Sequence, residues 1–323
     1  MRGFPASSLI GLVLAFPAFA AETAEAPAIP PAAVPDPTSI LEEVVVKVPE
    51  PRFVAPTMRD RIGRIWAPVY INGKGPFRLV LDTGASHSAV TARVAATLGI
   101  ALRPEASIML RGVTGSATVP TIPVDSLFVG DLEIGSTNLP IVIDALGGAE
   151  GVLGTEGLLD KRIFIDFKRD RITIYYSHNE RAGAGFVTIP VQIARGLLTV
   201  DAVIGGIHAK AIIDTGGQGT IANGALRDAL LRRRSHGALP VDDITGATLA
   251  VQHGDRVPTP PIELGGLRIN ANSVTAGEMF IFKHWKMTEE PVLLIGMDVL
   301  GLLDTLIIDY PRHELQIRMR GST

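Results

Sequence analysis

The chain has 323 residues, 46% of them hydrophobic, with a formal net charge of −3 and no cysteine. That length suits about two domains, and the apolar content supports a sizeable core and argues against global disorder. The charge gives no basic footprint for nucleic acid or an anionic membrane, and the lack of Cys excludes disulfides and thiol chemistry.

Residues 1–20 read as a secretory signal peptide. Arg2 is followed by an apolar stretch from Leu9 to Phe16, then by the small-x-small signal Ala18-Phe19-Ala20, with cleavage expected after Ala20. The apolar stretch is short for a membrane span, and an uncleaved anchor is the alternative. The expected address is periplasmic or secreted. Residues 21–55 follow as a Pro/Ala-rich tether or pro-segment, with five prolines between Pro27 and Pro37 and one β-prone run from Leu41 to Lys47.

Ile65 to Ile71 predicts a strand, Asn72 to Pro76 a turn, and Phe77 to Leu81 the returning strand. Asp82-Thr83-Gly84 sits in the loop that leaves it. Apolar spacing predicts a helix from Thr91 to Leu98, stopped by Gly99. Ser107 to Val129 predicts a glycine-tipped hairpin, and Phe164 to Tyr175 another across Lys168-Arg169-Asp170. Residues 179–186 are polar and rich in Gly and Ala, and read as a linker. The plan then repeats. Strands fall at Thr199 to Val203 and Ala209 to Ile213, a helix at Asn223 to about Arg232, a hairpin around Gly246, and a closing hairpin from Thr305 to Met319.

The repetition extends to short motifs. Leu81-Asp82-Thr83-Gly84 is matched by Ile213-Asp214-Thr215-Gly216. Val113-Thr114-Gly115 and Ile244-Thr245-Gly246 lie 31 and 30 positions after their respective Asp. Val152-Leu153-Gly154 pairs with Leu294-Ile295-Gly296, and Ile165-Asp166-Phe167 with Ile308-Asp309-Tyr310. Landmarks recurring in one order indicate a duplicated unit, and two copies suit a two-lobed pseudo-symmetric body. Two carboxylates in matched contexts suit a facing pair, which can activate water without a metal.

The paired motifs resemble the retropepsin-like aspartic proteases, in the bacterial single-chain form with two fused Asp-Thr-Gly lobes. The resemblance implies an all-β, two-lobed acid-protease fold with a few short helices. It places an N-terminal lobe at 56–178, the linker at 179–186 and a C-terminal lobe at 187–323. It implies an aspartic endopeptidase, with Asp82 and Asp214 as catalytic residues supported by Thr83, Gly84, Thr215 and Gly216. The hairpins carrying Gly112, Thr114, Gly115, Thr245 and Gly246 become candidate flaps over a peptide or protein substrate, or else plain surface hairpins. Water is the only co-reactant: no cofactor, metal or nucleic acid is implied. The second motif departs from the family by continuing Gly217-Gln218-Gly219, whereas Ala85-Ser86 conforms. That departure keeps open a catalytically inactive peptide- or protein-binding module on the same fold.

Other motifs have plainer readings. Asp166 and Asp309 read as hairpin residues that satisfy backbone donors, and Asp160 and Asp304 as surface or capping residues. Arg232-Arg233-Arg234 reads as a solvated helix end. The seven His residues lack metal-binding spacing.

Overall fold

A computed structural model describes residues 64–320 apart from Pro104, Asp131, Ala145, Asn179 and 233–236. It also describes the backbone of Leu12–Val13, Phe53–Pro56 and Met58–Arg59. Nearly all of the expected signal peptide and tether, including Leu41 to Lys47, lies outside the described residues, as do Arg233 and Arg234.

The fold is all-β with short helices, and two of its sheets are built on one plan. Each contains nine strands in the same spatial order. The first runs Ser107–Gly112, Ser116–Val124, Thr137–Val142, Ala89–Thr91, Gly151–Leu153, Lys74–Leu81, Ile65–Ile71, Leu127–Val129, Leu132–Glu133. The second runs Val241–Thr245, Val251–Pro258, Ser273–Ala276, Ile221–Ala222, Val292–Ile295, Ile207–Ile213, Leu197–Ile204, Ile262–Leu264, Leu267–Ile269. In each sheet one short strand pairs off this path, Met58–Arg59 in the first and Gln192–Ala194 in the second. Leu12–Val13 pairs with the outer edge of the first sheet at Arg111 and Gly112.

The local chemistry explains the elements. Val, Ile and Leu alternate or run continuously through the central strands, which bury both faces. Asn72 and Gly73 both take positive φ, so a two-residue turn suffices. The returning strand therefore begins at Lys74, and Gly75 and Pro76 lie within it rather than in a longer turn. Helix Ala92–Leu98 ends where Gly99 adopts the left-handed conformation and its N–H reaches the carbonyls of Ala95 and Ala96. Asn223 caps helix Gly224–Leu231 by accepting from the Leu226 N–H.

A third sheet of six strands joins the two halves. It combines Lys161–Asp166 and Arg171–Tyr176 with Leu303–Asp309 and Glu314–Met319, edged by Val187–Pro190 and Phe53–Pro56. The two closing hairpins are thus neighbours in one sheet rather than separate caps. Across it, Arg162 donates to Asp309 at 2.6 Å and to Gln316 at 2.8 Å, both ionic side chains being almost fully buried. Removing either partner would strand a buried charge.

Candidate active site

Each Asp-Thr-Gly turn is shaped by a strand that threads through it. Lys74–Leu81 runs into Asp82, and the chain returns as Ala89–Thr91. Gly151–Leu153 enters between them, parallel to the first and antiparallel to the second. Its Leu153 carbonyl accepts the Asp82 N–H at 3.0 Å. The second half repeats this with Val292–Ile295, whose Ile295 carbonyl accepts the Asp214 N–H at 3.0 Å. The chains cross so closely that a Cβ on Gly154 would lie 2.4 Å from the His87 carbonyl carbon, and one on Gly296 would lie 2.6 Å from the Gly219 carbonyl oxygen. That contact explains why each apolar pair ends in glycine.

The two turns bring Asp82 and Asp214 together. Both are 1% exposed, and their side chains are hydrogen-bonded to each other. The Gly84 N–H donates to Asp82 Oδ1 at 2.8 Å. The Gly216 and Gly217 N–H groups both donate to Asp214 Oδ1 at 2.9 Å. Burial pushes the Asp214 carboxyl above the ordinary Asp range, against the pull of the Asp82 bond, the two glycine amides and the positive charge of Arg64. There is no room for a larger residue at Gly216, where a Cβ would fall 2.2 Å from the Asp82 carboxyl carbon.

Thr83 and Thr215 tie the turns together reciprocally. The Thr83 hydroxyl donates to the Ile213 carbonyl at 2.7 Å and accepts the Thr215 N–H at 3.1 Å. The Thr215 hydroxyl donates to the Leu81 carbonyl at 2.7 Å and accepts the Thr83 N–H at 3.1 Å. All four bonds are buried, and each hydroxyl both donates and accepts across the interface. The geometry of each carboxylate therefore depends on the other half of the chain.

The two glycine-tipped hairpins also meet. The first turns through Val113-Thr114-Gly115, between strands Ser107–Gly112 and Ser116–Val124. The second turns through the longer 246–250 segment, so Thr245 is the last residue of its strand rather than part of the tip. The Thr114 hydroxyl accepts the Gly246 N–H at 2.9 Å and donates to the Ala250 carbonyl at 2.6 Å. Gly115 faces Ala250, whose Cβ would lie 3.0 Å from an added Cβ. Gly112 closes the first turn through its N–H to Gly115. The apolar residues at the tips are exchanged. Val113 packs among Ile212, Phe282 and Leu294 of the second half, and its carbonyl accepts the Ile281 N–H. Ala247 packs among Trp66, Val80 and Val152 of the first half.

Several residues around the site escaped sequence reasoning. Arg64 is buried, donates to the Leu146 carbonyl at 2.7 Å and acts on Asp214 through its charge. A single Arg before a strand carries no sequence signal for this. Ser88, Glu156, Thr220 and Asp298 form a second layer behind the turns. Their signal was present as a hydroxyl six residues after each Asp and an acid two residues after each threading glycine. Asp166 accepts from the Lys168 and Arg169 N–H groups, and Asp309 from the Arg312 N–H, so both close hairpins. Asp304 pairs with Arg318 and Asp160 with Lys161.

Two adjoining buried carboxyls cannot both ionise cheaply, so such a pair favours a state with one proton between them. The pair then offers a base and an acid at one point. Among the described residues, no group of three or more His, Asp or Glu side chains could hold a metal ion. A 390 Å³ groove beside helix Gly224–Leu231, lined by Arg227, His253, Asp255 and Glu278, contains neither catalytic candidate.

Residues 67–156 match the aspartyl protease family. The aspartyl protease match covers the first Asp-Thr-Gly and the Val152-Leu153-Gly154 element and stops before the second half. It supports a general aspartic protease function with peptides as the substrate class. No curated protein matches the chain.

Proposed function

We propose that the chain is an aspartic endopeptidase in which Asp82 and Asp214 jointly activate a water molecule. The observation that carries this reading is the meeting of two buried, mutually bonded carboxyls on turns locked by Thr83 and Thr215. The ionised member takes a proton from water as the water oxygen bonds to the peptide carbon. The protonated member donates to the carbonyl oxygen. Collapse of the tetrahedral adduct breaks the C–N bond: the proton taken from water goes to the leaving nitrogen, and an adduct hydroxyl returns its proton to the dyad as the new carbonyl forms. Gly84 and Gly216 supply amide donors that keep the carboxyls oriented. The hairpins that carry Thr114 and Gly115 at one tip and Gly246 at the other, with Gly112 and Thr245 ending the strands that lead into them, close over an extended peptide and exclude water. They are bonded to each other in this structure, so substrate entry requires them to part.

The same proposal assigns residues 1–20 to an export signal, the mature protein to the periplasm or the exterior, and the lobes to 56–178 and 187–323. Support for the signal is the sequence pattern alone. Support for the lobes is the repeated strand order. Mass determination of the N-terminus after export tests the first assignment.

Cleavage of a peptide library from about pH 3 to pH 8 tests the activity. Wild type should cleave, and Asp82→Asn and Asp214→Asn should each lose about 10³-fold or more while melting as cooperatively as wild type. A folded single mutant that retains full activity would defeat the dyad. A folded wild type that binds but never cleaves peptides would establish the binding-module alternative.

A further inference from the structure

Behind each Asp-Thr-Gly turn a carboxylate braces the threading strand, and the two braces differ. In the second half, the Gly296 N–H donates to the Thr220 hydroxyl at 3.2 Å, which donates to Asp298 Oδ1 at 2.7 Å. The Val299 N–H also reaches Oδ1 at 2.9 Å, and the Thr220 N–H reaches Oδ2 at 3.0 Å. Asp298 lies at the surface, with both oxygens bonded. In the first half, the Gly154 N–H donates to the Ser88 hydroxyl at 3.0 Å. The Ser88 N–H donates to Glu156 Oε1, and the Ser88 hydroxyl bonds the same carboxyl. Glu156 Oε2, however, is buried and has no hydrogen-bond partner.

A carboxylate with one buried, unbonded oxygen is costly to ionise, whereas the neutral acid tolerates the same site. The brace also bears on the dyad. It holds Gly154, and the residue before it, Leu153, accepts the Asp82 N–H. A charged Glu156 would draw water to Oε2, and admitting it there would open the turn. That opening displaces the carbonyl on which Asp82 hangs. Asp298 is already at the surface and needs no such change.

We propose that Glu156 is a positioning residue for Asp82, acting as a neutral carboxylic acid through Ser88 and Gly154, so that the first half of the site loosens on the alkaline side while the second does not. The activity arm rests on the dyad reading above; the stability arm does not. Burial pushes the Glu156 carboxyl above the usual range, opposed only by bonds from Ser88 and its own N–H, with no neighbouring charge contributing. The other titratable group on the turn, His87, is pushed down by burial and leans to its neutral form. A folded-state value above the unfolded one means the contribution to stability is complete below about pH 4.3, the unfolded value. It is lost as pH rises through the folded value.

The first experiment uses the full chain with Asp82→Asn and Asp214→Asn, which removes the dyad's own titration. Its melting temperature should fall by about 2–4 °C more between pH 5 and pH 8 than that of the same protein carrying Glu156→Gln. An infrared band of a protonated carboxyl should persist above the pH at which an exposed Glu ionises and vanish with Glu156→Gln. This band needs no activity and is read on the folded parent if the Gln variant fails to fold. Parallel melting curves, or no such band in the parent, would overturn the proposal.

The second experiment uses the intact dyad. Glu156→Gln should move the alkaline limb of kcat/KM up by about one pH unit, roughly tenfold in rate at a fixed pH above it. A purely structural role would lower the rate at every pH alike, and that outcome, or an unchanged profile, would overturn the positioning role. A wild type inactive at every pH would instead defeat the dyad reading and leave the stability arm to decide on Glu156.

Discussion

The two Asp-Thr-Gly turns share a strand order and a bonding scheme, yet their carboxylates are held differently. Asp82 accepts the Gly84 N–H, while Asp214 accepts those of Gly216 and Gly217. The departure from the family pattern at Gly217 is therefore occupied by a bond to the carboxylate. Behind the turns, Asp298 is bonded at both oxygens and Glu156 at one. Duplication preserved what the chain crossing demands, the threading glycine and the crossed Thr pair, and let the surrounding donors diverge. The consequence is that two chemically identical Asp side chains need not share their proton equally.

The steepest test of this comparison lies at the glycines facing the opposite carboxyl. A Cβ at Gly216 would penetrate the Asp82 carboxyl group, whereas one at Gly84 would stop 3.0 Å from Asp214 Oδ1. Gly216→Ala should lose nearly all activity and about 2–3 kcal/mol of stability, and Gly84→Ala about half that stability. Denaturant melts of both variants beside initial rates would check it, and equal losses would mean that the facing turns relax alike.

The crossed threonines should behave symmetrically instead. Thr83→Val and Thr215→Val each leave a buried carbonyl and a buried N–H without a partner, at about 1–3 kcal/mol. The double variant should cost less than the sum, because the bonds lie in one network. A double-mutant cycle on thermal unfolding measures that coupling, and additive losses would show two independent locks.

The smallest effect is expected at the hairpin tips. Thr114→Val removes the hydroxyl that joins the Gly246 N–H to the Ala250 carbonyl. Val113 and Ala247 remain packed in opposite halves, so the fold should hold. Exchange of the Gly246 amide should speed up, and KM should change by about threefold with kcat less affected. Unchanged exchange would mean that the tips are held by packing alone.

Much of the fold was legible because its signals are local. Strand Ile65–Ile71 and the helix stop at Gly99 follow from apolar runs and from residues that tolerate positive φ. The repeat exposed a two-part plan because motif order survives divergence. The six-stranded joining sheet was not legible, since nothing in Leu303–Asp309 states that it pairs with Lys161–Asp166. The short helices Phe280–His284 and Met297–Leu300 were likewise invisible, being too brief for a periodic signal.

By itself the sequence determined the strands, the turns and the presence of two matched carboxylate motifs, because these depend on side-chain period and backbone freedom within a few residues. Only the tertiary structure decided which groups meet. Thr83 finds Ile213, Thr114 finds Gly246 and Arg64 reaches Asp214 through contacts spanning more than a hundred residues. The same holds for what those meetings cost. A carboxyl at Glu156 is ordinary in the sequence, and it becomes a group that resists charge only because the fold buries one of its oxygens away from any donor.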